Sequence, residues 1–207
     1  MRPKTGSTGV AGGRLLAHAR FRAKPLVEAL IALPLVLPPT VLGFVLLVAF
    51  GLGSPLGQAF EALFGQRLVF SFEGLVLASI VANLPFALQP AQRAFEAIPP
   101  NLREAAACCG LSGLATLLRI ELPLAWPGIA SGLVLTFAHT LGEFGVVLMV
   151  GGSIPGETRT VAIAIYDAVQ AFDNASAAAM SAVLLAVSLV AMGVVFLLSG
   201  RVGRLGR

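Results

Sequence analysis

The chain has 207 residues, of which 57% are hydrophobic and 12% charged, and its formal net charge is +4. A soluble domain carries roughly 45–50% apolar and about 25% charged residues, so the composition excludes an ordinary water-soluble fold. A mean hydropathy of +0.91 points to a polytopic membrane protein. The basic residues gather beside apolar runs, where they act as an orientation signal, and no nucleic-acid partner is expected.

Residues 1–27 hold Arg2, Lys4, Arg14, Arg20, Arg22 and Lys24 and no acidic residue, and Gly6 to Gly13 is of low complexity. No apolar run of signal-peptide length lies there, so a cleavable signal is not expected. The reading is a basic, partly disordered cytoplasmic arm. A membrane domain over 28–200 follows, and 201–207 form a cytoplasmic tail. The first apolar run, Ala29 to Phe50, is long enough to cross a hydrocarbon core of roughly 30 Å. Pro34 and Pro38-Pro39 interrupt it and predict a kink packed against other helices or a cavity. The alternative is a re-entrant or interfacial start followed by a shorter span.

Gly51 to Phe70 reads as a polar, glycine-containing connection. A second span runs from Phe72 to Gln89. Asn83, its strongly polar interior residue, is expected to bridge two helices rather than bind substrate. A cytoplasmic segment, 90–123, leads to a third span, Leu124 to Leu141, which opens with Trp126 and Pro127. Gly128 and Gly132, and Ala138 and Gly142, are small pairs spaced for close helix packing. A non-cytoplasmic stretch from Glu143 to Ala177 contains a turn at 151–156 and an amphipathic piece, Val161 to Phe172. The last span runs from Ala178 to Ser199. The expected fold is an all-α polytopic membrane helix bundle of about four spans. Six basic residues in 1–27, three in 90–123 and three in 200–207 stand against Arg67 and Arg159 elsewhere. This places both termini and the 90–123 loop in the cytoplasm.

That loop is the long polar interruption of the second half. Pro99-Pro100 can start a helix, Leu102, Ala105, Ala106 and Cys109 recur at helical spacing, and Gly110 suits the left-handed residue that ends one. Ser112 is a fitting N-cap for a second short helix carrying Leu114, Leu117 and Leu118 and stopping before Pro123. Two such helices cannot bury their apolar faces alone, so a partner surface is implied. The adjacent Cys108 and Cys109 are expected to be small buried side chains rather than a disulfide or metal site.

The spacing Glu-Ala-Ala-x3-Gly-x9-Ile-x-Leu-Pro, met by Glu104, Ala105, Ala106, Gly110, Ile120, Leu122 and Pro123, resembles the cytoplasmic signature of ABC-importer permeases. In that family the loop is a coupling helix that docks into a cleft on the ATP-hydrolysing subunit. Three further blocks, Leu141-Gly142-Glu143-Phe144-Gly145, Ile154-Pro155-Gly156-Glu157-Thr158 and Ala164-Ile165-Tyr166, look like the molybdate/tungstate branch. So does the proline-rich run Leu33 to Gly43. The Gly-Glu-Phe-Gly element is shared with sulfate/thiosulfate permeases, which keeps those anions as an alternative. The resemblance covers about Phe21 to Leu198 and implies the type I importer transmembrane fold in a bacterial inner membrane. It also implies a homodimer of permeases, two copies of a cytoplasmic ATPase that binds the ATP and Mg, and an extracytoplasmic binding protein. No cofactor is expected in this chain, and it is not itself an enzyme. Members of the branch carry at least one more membrane helix before the proline-rich run. The chain is therefore expected to be short at its N-terminus, through a mis-called start, a truncation or a shortened variant.

Pathway or gate candidates are Thr40, Thr136, His139, Thr140 and Glu143. His139 and Glu143 are four apart on one helix face near the outer end of the third span. A carboxylate repels an oxyanion, so gating or helix–helix contact is expected of Glu143, and hydroxyl donors suit the anion better. These two residues with no third ligand, and His18 in the basic arm, do not make a metal or nucleophilic centre, so a hydrolase is not expected. A membrane assembly protein without transport is the remaining alternative.

Overall fold

The computed structural model describes residues 12–17 and 22–202, and no strand occurs among them. Most of the basic arm, including Arg2, Lys4, His18 and Arg20, lies outside the described residues, as do Arg204 and Arg207 of the tail. A helical turn at 12–17 precedes α1 (Lys24–Val36), α2 (Pro39–Phe50), α3 (Pro55–Phe64), α4 (Phe72–Glu96), α5 (Pro100–Cys108) and α6 (Gly113–Thr116). A π segment (Leu117–Glu121) then joins α6 to α7 (Leu122–Gly142), followed by α8 (Gly145–Gly151), α9 (Val161–Gln170) and α10 (Asn174–Val202).

Among the described residues, three helical stretches are long and apolar enough to cross a membrane: Phe72–Glu96, Gly113–Gly142 and Asn174–Val194. A fourth is possible if α1 and α2 count as one broken span. The break is sharper than a kink, because α1 and α2 meet at 116°. Pro34 stays inside α1. The turn comes at Pro38-Pro39, where two successive residues lack N–H groups and Pro39 opens α2.

Elsewhere the boundaries differ from expectation for local reasons. The connection after α2 contains a helix, α3. Ser54 caps it by accepting from the Gly57 N–H at 3.0 Å, Pro55 opens it, and Gly65 closes it at φ 71°. The second span runs past Gln89 to Glu96, through Pro85 and Pro90, because the helix outlasts the apolar stretch. The stretch after Glu143 holds a seven-residue helix, α8, that the Gly-rich flanks conceal. α9 falls where the amphipathic piece was expected, with Thr160 accepting from the Ile163 N–H at 3.3 Å. Before it, Thr158 Oγ1 donates to the Gly151 carbonyl at 2.6 Å. Arg159 and Ser153 both reach Asp167, and the Arg159 guanidinium leads in holding that carboxyl below its usual range.

The chain forms two compact units. In the one that includes Leu84–Phe137, Ala91, Phe95 and Ile98 pack with Ala125 and Ile129 of α7, and Ala17, Leu117 and Leu122 rest against them. Here α4 and α7 approach closely. A Cβ on Gly128 would run into the Ala94 methyl and lie 3.0 Å from the Pro90 carbonyl oxygen. One on Gly132 would lie 3.2 Å from the Ala87 oxygen. The Gly128/Gly132 pair therefore packs as expected. Ala138 and Gly142 do not: both are exposed, and nothing lies within 4 Å of a Cβ on Gly142.

In the other unit, which includes Ala32–Asn83 and Ala138–Met192, Leu42, Leu46 and Phe50 of α2 pack with Ala78 and Ala82 of α4 and Val146 and Val150 of α8. On α10, Val183, Leu185, Val187, Leu189 and Val190 are exposed, as a surface facing lipid would be. Gly128→Val should cost about 1–3 kcal/mol through overpacking, whereas Gly142→Ala should be nearly neutral. Thermal unfolding of the detergent-solubilised proteins checks this, with a lowered midpoint for the first variant alone.

Candidate coupling loop and pathway residues

The loop around Glu104 is built by backbone bonds that its sequence requires. Pro100 occupies the first turn of α5, where a missing N–H loses nothing. At the other end Gly110 takes φ 75°. The Leu111 N–H then donates to the Ala106 carbonyl, and the Gly110 N–H to the Ala107 carbonyl, both at 3.0 Å. These are the two bonds of a Schellman closure. Ser112 next accepts from the Ala115 N–H at 3.3 Å and starts α6.

Of the signature residues, Glu104, Ala105, Gly110 and Pro123 are exposed, Ile120 and Leu122 are half-buried, and Ala106 is buried. Leu102, Leu114 and Leu118 are exposed, so this chain leaves much of the loop's apolar surface uncovered. Cys108 and Cys109, expected to be buried, are exposed free thiols. The buried contact of α5 is Ala106. Cys108, two residues on, points to the far side of the helix, and Cys109 lies beyond its last turn.

The second short helix does not stop before Pro123. It widens into the π segment and continues as α7, with the Leu122 N–H donating to the Leu117 carbonyl five residues back. An α-helix would set the Pro123 ring against the Arg119 carbonyl and leave that carbonyl without a donor; the wider turn relieves the clash. The last residue of this segment, Glu121, was not among the expected site residues. Its side chain is 2% exposed and clamped by two arginines. Arg103 Nε of α5 donates to Oε1 at 2.7 Å, and Arg14 Nε donates to Oε2 at 2.6 Å. Arg103 Nη2 also donates to the Phe95 carbonyl at 3.3 Å. The available signal was a carboxylate lodged among Ile120, Leu122 and Pro123, which needs a cationic partner if buried.

Among the pathway candidates, the structure joins His139 and Glu143 through Asn83. Asn83 Nδ2 donates to Glu143 Oε2 at 3.0 Å, and its Oδ1 lies 3.0 Å from His139 Nδ1. Ser79 Oγ donates to the same Glu143 oxygen at 2.7 Å. Asn83 thus bridges α4 to α7 as expected, and Ser79 is a member that pattern reading missed. Glu143 lies one residue beyond the end of α7, and its buried Oε1 makes no hydrogen bond. Thr136 donates to the Gly132 carbonyl of its own helix at 2.8 Å. Thr40 is exposed, and Pro39 and the Thr40 N–H border Gly145. Thr140 is exposed, and its carbonyl accepts from the Glu143 N–H at 3.3 Å.

Comparison with known proteins places this architecture. The molybdenum transport system permease protein ModB of Azotobacter vinelandii is 51% identical over 162 residues, covering 78% of this chain and 72% of the relative. Its counterpart in Escherichia coli (strain K12) is 39% identical over 171 residues, 83% of this chain and 75% of the relative. The sulfate transport system permease protein CysT of Salmonella typhimurium is 32% identical over 199 residues, 96% of this chain and 72% of the relative. The bacterial alginate ABC transporter, solved with an alginate pentasaccharide-bound periplasmic protein, shares the fold. It aligns with a TM-score of 0.75 at 20% identity, over 96% of this chain and 73% of that one. The family of binding-protein-dependent transport system inner membrane components matches residues 9–204. A helical chain with several spans, matched almost end to end, belongs to that family and is a multi-pass membrane permease.

Proposed function

We propose that this chain is the membrane-spanning subunit of an ATP-driven importer of molybdate, accepting the anion from a binding protein and releasing it to the cytoplasm by alternating access. The observation that carries the substrate is the 51% identity to a molybdenum permease, against 32% for a sulfate permease. The exposed loop geometry of α5 and α6 supports docking of a cytoplasmic ATPase, one on each of two permease copies. In this arrangement ATP and Mg are held by the ATPase, and both termini and residues 90–123 face the cytoplasm. Glu104, Ala105 and Gly110 present the docking surface, while Ala106, Ile120, Leu122 and Pro123 fix its shape. Molybdate and tungstate are nearly equal in size and charge, so their discrimination falls to the binding protein.

Glu143 acts as a gate clasp rather than an anion ligand, since a carboxylate repels an oxyanion. With Asn83, Ser79 and His139 it ties α4 to α7. Thr40, Thr136 and Thr140 are the hydroxyl candidates along the anion's path, and Thr136 would have to release the Gly132 carbonyl to donate to it.

Two outcomes test this reading. Glu104→Lys puts a positive charge where a negative one meets the partner, and such a mismatch costs several kcal/mol. ATPase recovered on detergent co-purification should therefore fall by more than about tenfold, and molybdate-dependent growth should be lost. Normal growth with an intact complex would defeat the docking assignment. Asn83→Leu removes the bridge and strands the polar atoms of Glu143, at a cost of about 1–3 kcal/mol. It should lower uptake while leaving ATPase co-purification intact; unchanged uptake would remove the cluster from the gate.

A further inference from the structure

We propose that Glu121 is a positioning residue for energy coupling, carrying displacement of α5 into α7 through Arg103 while Arg14 anchors it from the other side. The inference rests on the permease reading above and assigns a task to the carboxylate at the position between Ile120 and Leu122 that the family signature leaves unspecified. Three observations carry it. Each oxygen of Glu121 is occupied by one guanidinium, at 2.7 and 2.6 Å, and the side chain is 2% exposed. The carboxylate itself is buried, so it must follow an arginine that moves or be left charged and unpaired.

Arg103 immediately precedes Glu104 on the helix proposed to dock the ATPase, and it also grips the Phe95 carbonyl at the end of α4. A push on α5 therefore arrives at Arg103 first. Finally, Glu121 closes the π segment, and Leu122 begins α7 directly after it. Such a wide turn is a place where a helix can change register, so force on Glu121 acts on the joint that aims α7.

Arg103→Gln and Arg14→Gln separate this role from simple stabilisation, because each strips one oxygen of the same carboxylate. A merely structural Glu121 would lower protein yield in both variants and leave the molybdate moved per ATP hydrolysed unchanged. The relay predicts a different result in proteoliposomes containing the ATPase and the molybdate-loaded binding protein. There Arg103→Gln should lower that ratio by about tenfold or more. Arg14 is more exposed, and Arg14→Gln should keep the ratio within about threefold of wild type. Should Arg103→Gln fail to accumulate or to bind ATPase, Arg103→Lys decides by the same ratio, since it keeps the charge but gives up the planar fork. A wild-type ratio in the Arg103 variant, or an equal fall in both, overturns the relay. Failure of the wild type to recover any ATPase overturns the permease reading and the relay with it.

Discussion

No water reaches a hydrocarbon layer to satisfy a peptide group, so every N–H and C=O there must find its partner inside the chain. This constraint explains why the described residues form helices and why their irregularities cluster at prolines. Pro38-Pro39 withdraws two donors in succession, and the helix breaks to 116° instead of bending. Pro123 withdraws one donor, and the helix keeps going by widening into a π segment. Hydroxyls obey the same rule. Ser131, Thr136 and Ser188 each donate to a carbonyl one turn back in their own helix, so that no span carries them as bare donors.

Within that frame, side-chain size decides where helices meet. Gly128 and Gly132 let the α4 backbone come within about a van der Waals contact, a distance that no side chain would permit. Ala138 and Gly142 have the same spacing on the same helix, yet both are exposed and a Cβ on Gly142 would meet nothing within 4 Å. A small-residue pair marks a possible close approach, and the partner that realises it lies elsewhere in the chain.

The sequence was most informative where structure is set within a few residues. Pro100 at the start of α5, Gly110 at its closure and the Ser112 cap are each local and were legible. So was the signature from Glu104 to Pro123, because its spacing is itself the pattern. The short helices α3 and α8 were not, since seven to ten residues give periodicity little room and glycine flanks suggest turns. Cys108 and Cys109 misled because residue type favours burial, whereas α5 has too few neighbours to bury them. Long-range pairing was least visible. The partners of Glu121 lie 18 and 107 residues away, and Ser79 meets Glu143 across 64.

Those pairings separate two buried carboxylates that composition alone would treat alike. Glu121 is met by two full positive charges at short range, an arrangement that resists any separation because each broken contact exposes an uncompensated ion to a medium of low polarity. Glu143 is met by neutral donors, the Ser79 hydroxyl and the Asn83 amide, and one of its oxygens has no partner. Hydrogen bonds to such donors are individually modest, and their loss is offset when another polar group takes their place. The first arrangement therefore suits transmission, since what holds one end must drag the other. The second suits a contact that opens and recloses within each transport cycle. The two proposed roles, a fixed relay at the coupling loop and a releasable clasp at Glu143, thus follow from the difference between charged and neutral partners around the same functional group.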